Sequence, residues 1–203
     1  MCGRFTIMIQ PEMLQLELDL GSVSPSLVFM KDFYPGSGIP VVVDAAQRNV
    51  EVFYWGLVPS WAKDISISRK MFNARSETLL EKPSYRTSFL RRRCLIPASG
   101  FYEWKNTNGK KIPYYFSVKN QNAFTFAGLW EYWMDASGNE LYSATIITCP
   151  ANPLIQSYHD RMPVILNQEN RWKWMEDRST AELSSFLRPY ESDQMFVQKV
   201  QTE

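Results

Sequence analysis

The order of apolar and polar positions divides the chain into a strand-rich middle and more helical ends. Pro11 is placed to open a first helix, with Met13, Leu14 and Leu18 on one side. Residues 32–38, from Asp32 to Gly38, read as a Pro/Gly loop. Val41-Val42-Val43 and residues 50–54 read as strands on either side of a polar turn. Residues 114–118, 124–129 and 141–148 are rich in β-branched and aromatic side chains, which suit a pleated, half-buried surface. The links at 105–110, 119–122 and 135–139 carry Asn, Gly and Asp, the residues of tight turns, so antiparallel pairing is expected. Near the C-terminus Ser179 and Glu182 fit a capping box. Leu183, Phe186 and Leu187 follow at helical spacing, and Pro189 stops the run. The pattern predicts an α+β fold with an antiparallel, barrel-like core and peripheral helices. No repeat, low-complexity segment or linker interrupts it, so residues 1–203 are expected to form a single domain.

Composition narrows the class. A chain of 203 residues, 45% hydrophobic and 14% aromatic, can bury a core without covalent staples and does not resemble a disordered one. It has no apolar run long enough for a membrane span, and Met1-Cys2-Gly3-Arg4-Phe5 does not begin a secretory leader. The expected location is therefore the cytoplasm. The 3 cysteines, Cys2, Cys94 and Cys149, are odd in number and dispersed, and His159 is the single histidine. Neither a disulfide framework nor a metal site is expected, and nothing calls for a cofactor.

Net charge is only +1, but the basic residues are unevenly placed. Between Arg69 and Arg93 stand eight basic residues (Arg69, Lys70, Arg75, Lys82, Arg86, Arg91, Arg92 and Arg93) against Glu77 and Glu81, a local net of +6. Such a stripe is either a phosphate-binding footprint or a solvated charged face.

Several residues have chemistry to offer, each with a plainer alternative. If Met1 is removed, as is common before a small residue, Cys2 gains a free α-amine beside its thiol. That amine has an ordinary pKa of about 7.7–8.0, far below lysine, so much of it is nucleophilic near neutrality. It can attack an aldehyde to give a Schiff base, and the adjacent thiol can then close a thiazolidine. The alternative is an ordinary cysteine at a frayed end. Glu103, flanked by Tyr102 and Trp104, is either a buried general acid–base or a surface carboxylate on a strand. His159 titrates near neutrality and is either catalytic or a hydrogen-bonded loop residue. Asn73, Arg75 and Glu77 share one face if their segment is extended, a polar row suited to a sugar-phosphate. Trp55, Trp61 and Trp104 either stack on unpaired bases or pack in the core.

Taken together, these pieces resemble the SOS response-associated peptidase (SRAP) family. The matching segments, in family order, are Met1-Cys2-Gly3-Arg4-Phe5, Trp55-Gly56-Leu57-Val58-Pro59-Ser60-Trp61, Asn73-Ala74-Arg75-Ser76-Glu77, Arg93-Cys94-Leu95-Ile96-Pro97-Ala98-Ser99-Gly100-Phe101-Tyr102-Glu103-Trp104, Ala127-Gly128-Leu129-Trp130 and His159-Asp160-Arg161-Met162-Pro163-Val164-Ile165-Leu166. The resemblance implies an α+β domain with a basic groove. Its Cys2, exposed by Met1 removal, would bond the ring-opened aldehyde of an abasic site in single-stranded DNA. By motif position it also implies active-site roles for Asn73, Glu103 and His159, and DNA contacts for Arg4, Trp55, Trp61, Arg75 and Trp104, with Arg86 on a phosphate. One segment departs from the family pattern: residues 32–38, where Pro35 stands as the equivalent loop proline.

The leading expectation is a monomeric protein that crosslinks to abasic sites and shields them during the DNA damage response, associating with the nucleoid when bound to DNA. It would have lyase-like and autopeptidase activity. The alternatives are a cysteine-dependent peptidase with Cys2 as nucleophile, and a non-covalent single-strand binder.

Overall fold

The computed structural model describes residues 2–24, 27, 29 and 31–200. Its strands are β1 (Phe5–Ile7), β2 (Lys31–Phe33), β3 (Gly38–Val41), β4 (Glu51–Trp55), β5 (Asn73–Arg75), β6 (Arg93–Ala98), β7 (Gly100–Thr107), β8 (Lys110–Val118), β9 (Phe124–Met134), β10 (Glu140–Pro150), β11 (Arg161–Pro163), β12 (Ile165–Leu166) and β13 (Met195–Lys199). Its α-helices are short: α1 (Pro11–Leu18), α2 (Pro83–Arg91), α3 (Gln168–Arg171) and α4 (Thr180–Ser185). The class is α+β.

Among the described residues the strands form two sheets. One has five strands in the order β13-β8-β7-β1-β2. The other has eight, built around β9 and β10, with β12, β6, β4, β3, β5 and β11 attached. Neither sheet closes on itself, so the expected barrel gives way to two open sheets. The core is not purely antiparallel either, because β4 and β5 both run parallel to β10. That geometry needs chain from outside the local hairpins, which turn residues alone cannot announce.

The β7–β8 hairpin follows from its turn. Asn108 and Gly109 both have positive φ, the requirement of a two-residue primed turn, and Thr107 pairs with Lys110. The β9–β10 hairpin is likewise antiparallel. By contrast, the link at 119–122 carries the chain from one sheet to the other rather than closing a hairpin. The six residues of β6 and the first six of β9 are all buried, so their sequence lacks alternation.

Three local expectations need correction. Leu14 and Leu18 face the core from α1, but Met13 is half exposed. Asp32 and Phe33 belong to β2, which shortens the expected loop. After α4, whose Ser179–Glu182 capping box is formed, the chain returns as β13 against β8, so the C-terminal part is not wholly helical. Among the described residues, no helix is long and apolar enough to cross a membrane.

Candidate active site

The N-terminal segment is held in the middle of a sheet. β1 pairs with β2 on one side and β7 on the other, Phe5 lying opposite both Phe33 and Phe101. Phe5 stacks on Phe33 at 4.9 Å and meets the edge of Trp55 at 5.1 Å. This removes the frayed-end alternative for Cys2, which is fully buried just before β1. Its thiol points to the carbonyl of Arg4, 3.9 Å away, and its own carbonyl accepts a 2.8 Å hydrogen bond from Asn73 Nδ2. Asn73 opens β5, which β10 positions through the pair Ile146–Asn73. The hydroxyl of Tyr85 on α2 donates to the Asn73 carbonyl at 3.3 Å.

Glu103 reaches the same place from β7. Alternation along that strand turns Phe101 and Glu103 inward and Tyr102 and Trp104 outward, and Glu103 is 1% exposed. Burial raises its carboxyl above the ordinary value, while the positive amino terminus of the chain opposes the rise by charge and hydrogen bonding. Burial also pushes the Cys2 thiol far up; the Glu103 carboxylate adds to this and the amino terminus again opposes it. His159 follows a 3-10 turn, Ile155–Ser157, and is half-buried. Its pKa falls below the ordinary value, first through burial and then through the amino terminus, with Asp160 pulling the other way. The positive amino terminus thus weighs on Cys2, Glu103 and His159 alike, and the Glu103 carboxylate weighs on Cys2.

The other expected residues separate. Trp61 is 59% exposed and Trp104 half-buried, whereas Trp55 is fully buried. Trp55 Nε1 donates to the Phe72 carbonyl at 2.8 Å, and its ring packs among Phe5 and Phe72, so this side chain offers no face to a ligand. The expected stacking role of Trp55 is therefore corrected to a core role. Arg75 and Arg86 are exposed. Arg4 lies over Tyr102 at 4.1 Å and Tyr34 at 5.5 Å, and both its Nε and Nη2 donate to one oxygen of Asp32. The polar row expected at Asn73, Arg75 and Glu77 breaks after Arg75, because Glu77 sits in a 3-10 turn, Ser76–Thr78.

The basic stripe also divides. Arg69, Lys70, Arg75, Lys82, Arg86 and Arg91 are exposed. Arg92 bonds Glu131 at 2.8 Å, and Arg93 is buried with four main-chain carbonyls around its guanidinium. Asp32, Tyr85 and Arg161 bind or brace the site and were not singled out by type or spacing. Arg161, which directly precedes the apolar run Met162-Pro163-Val164-Ile165-Leu166, proves to be only 8% exposed. Among the described residues no group of three or more His, Cys, Asp or Glu side chains is placed to hold a metal.

The family model described as SOS response associated peptidase (SRAP) matches residues 1–203. A Bacillus subtilis (strain 168) protein named abasic site processing protein YoqW is 42% identical over 201 residues, covering 96% of this chain and 90% of its own. A Xenopus tropicalis protein, abasic site processing protein HMCES, is 33% identical over 196 residues, covering 84% of this chain and 57% of its own. A crystal structure of a protein from Bacteroides thetaiotaomicron superposes with a TM-score of 0.90 at 29% identity, covering 98% of this chain and 92% of that one. The chain belongs to the SOS response-associated peptidase (SRAP) family.

Proposed function

We propose that the protein handles abasic sites in DNA by forming a covalent thiazolidine through Cys2 once Met1 has been removed. The observation that carries this reading is the burial of Cys2 under the charge of a buried Glu103, with the Cys2 carbonyl held by Asn73 and with Glu103 and His159 both shifted by the positive amino terminus. The α-amine of Cys2 adds to the aldehyde of the ring-opened sugar to give a carbinolamine. Loss of water gives an imine, and addition of the thiol to the imine carbon closes the ring, its S–H proton passing to nitrogen. Glu103 is suited to move these protons, because its raised pKa lets it alternate between acid and base. His159, neutral near physiological pH, is suited to the sugar oxygen as the ring opens and closes.

The buried thiol argues against the peptidase alternative. Cysteine nucleophiles that attack amides work as thiolates with depressed pKa values, whereas burial moves this thiol the other way. Amine-first addition to an aldehyde does not need the thiolate. The names of two relatives also support the DNA reading, since YoqW and HMCES are both called abasic site processing proteins. The exposed Arg75 and Arg86 supply phosphate contacts, and Trp61 and Trp104 supply surfaces for unpaired bases. Single-stranded DNA is thus the favoured partner, with residues 1–203 acting as one domain and the protein as a monomer.

The test is an abasic-site oligonucleotide resolved on a denaturing gel. An adduct that survives denaturation and is lost in Cys2→Ser supports the reading. Non-covalent retention alone, unchanged in Cys2→Ser, overturns it.

A further inference from the structure

We propose that the Arg161–Glu77 ion pair is a positioning latch for His159, fastening the loop that carries the imidazole to the strand that carries Asn73 and Arg75. The inference deepens the proposed function and rests on it for its role in DNA chemistry, but the latch itself can be tested without DNA.

The geometry begins at Arg161. Its backbone N–H donates to His159 Nδ1 at 2.9 Å. Its guanidinium grips Glu77 with both terminal nitrogens, Nη2 reaching Oε2 at 2.8 Å, and Nη2 also donates to the Thr148 carbonyl at 2.6 Å. Glu77 lies two residues past Arg75, in the turn that ends β5. Thr148 pairs with Arg75 on one side and Pro163 on the other, and its hydroxyl donates to the Ala74 carbonyl at 3.4 Å. One arginine therefore joins β11 to β10 and to the turn that ends β5. Its main chain fixes the imidazole, and its side chain fixes the strand that holds the Cys2 carbonyl through Asn73. A two-pronged arginine–carboxylate contact defines direction as well as distance, which a lysine in the same place could not do.

The latch also bears on protonation. His159 Nδ1 is 2.9 Å from the Arg161 N–H and 2.8 Å from Asp160 Oδ1. A neutral ring accepts from the first and keeps its proton on Nε2. A protonated ring donates Nδ1–H to Asp160 and gives up the backbone bond. The charges facing the ring are the amino terminus and Arg161, which favour the neutral form, and Asp160, which favours the charged one. The Asp160 side chain is 83% exposed, so water weakens its pull. Glu77 cancels part of the Arg161 charge. Removing one partner of the pair or the other should therefore move the imidazole in opposite directions, an outcome that loosened packing would not give.

Because the chain has 1 histidine, the imidazole gives one unambiguous NMR signal. The experiment titrates that signal in DNA-free wild type, Glu77→Gln and Arg161→Gln, with circular dichroism to check folding. The His159 midpoint should fall in Glu77→Gln and rise in Arg161→Gln. Single-turnover crosslinking to an abasic oligonucleotide should slow in both by on the order of 10-fold or more, because misplaced catalytic groups lose much of their effect. Glu77 is 46% exposed, so Glu77→Gln keeps its fold and decides the matter alone if Arg161→Gln does not. An unmoved or raised midpoint in folded Glu77→Gln overturns the latch. Wild-type protein that never crosslinks, with the midpoints shifting as stated, overturns the proposed function and leaves the latch standing.

Discussion

Two arginines of the same basic stripe are predicted to fail in opposite ways. Arg93 Nε donates to the Trp174 carbonyl at 2.8 Å, Nη1 to Phe89 and Leu90 at 2.8 and 2.7 Å, and Nη2 to Glu176 at 2.9 Å. Phe89 and Leu90 lie in the last turn of α2, where carbonyls lack helical partners, so Arg93 caps the helix and ties it to the segment after α3. Arg93→Ala leaves four acceptors without this donor. Charge-assisted hydrogen bonds contribute roughly 1.5–3 kcal/mol each, but they are not additive here, because burying the guanidinium has its own cost and water can reach the helix end. The net loss should be about 3 kcal/mol. For a chain of this size each kcal/mol moves Tm by roughly 2–4 °C, so Tm should fall by about 6–12 °C. Arg86 is exposed on the same helix, and Arg86→Ala should leave Tm within about 1–2 °C while lowering the slope of log affinity against log salt by close to one unit. Differential scanning calorimetry and a salt series on a single-stranded oligonucleotide measure both. An Arg93→Ala protein with wild-type Tm and a reduced salt slope would refute the division of the stripe into cap and contact.

Trp55→Ala should cost about 3–5 kcal/mol by thermal or denaturant unfolding, because its ring is fully buried, whereas Trp61→Ala should leave stability unchanged and weaken oligonucleotide binding; equal loss of binding at unchanged stability would reverse that assignment. The Arg161 contact holds Glu77 down at about 2, so the stabilisation it provides is fully present above the ordinary carboxylate pKa and disappears as pH falls through 2. Glu77 is half exposed and screened by water, so acid denaturation curves of wild type and Glu77→Gln should differ by only about 1 kcal/mol near neutrality and converge at low pH. Asn73→Ala removes the donor to the buried Cys2 carbonyl and should cost about 1–3 kcal/mol of stability, with a matching fall in crosslinking rate; wild-type values for both would show that the bond does not position Cys2.

The legible parts of the fold were those written locally. The Asn108-Gly109 turn, the Ser179–Glu182 capping box and the Pro11 helix start each depend on residues close in sequence. What stayed hidden depends on distant chain. Nothing near residues 73–75 announces that they run parallel to β10, and nothing near 195–199 shows a strand in place of a helix. The continuously buried β6 has no alternation to read. Residue type alone also could not sort Trp55 from Trp61, or Arg93 from Arg86, since the difference is which backbone carbonyls or neighbouring rings surround them. Cys2, Asn73, Glu103 and His159 could be named from motif position, but the placing of β1 between β2 and β7, which buries Cys2, required the structure.

The central claim is that Cys2 bonds the aldehyde through both its amine and its thiol, and the survival of an unreduced adduct of the right mass, together with its dependence on the thiol, tests it most directly. Protein incubated with an abasic oligonucleotide, with no borohydride added, should give one species after denaturation. Its mass should equal that of the Met1-free chain plus the oligonucleotide less one water, and Cys2→Ser should not form it. A stable adduct that retains Met1, or one formed equally well by Cys2→Ser, would contradict the account.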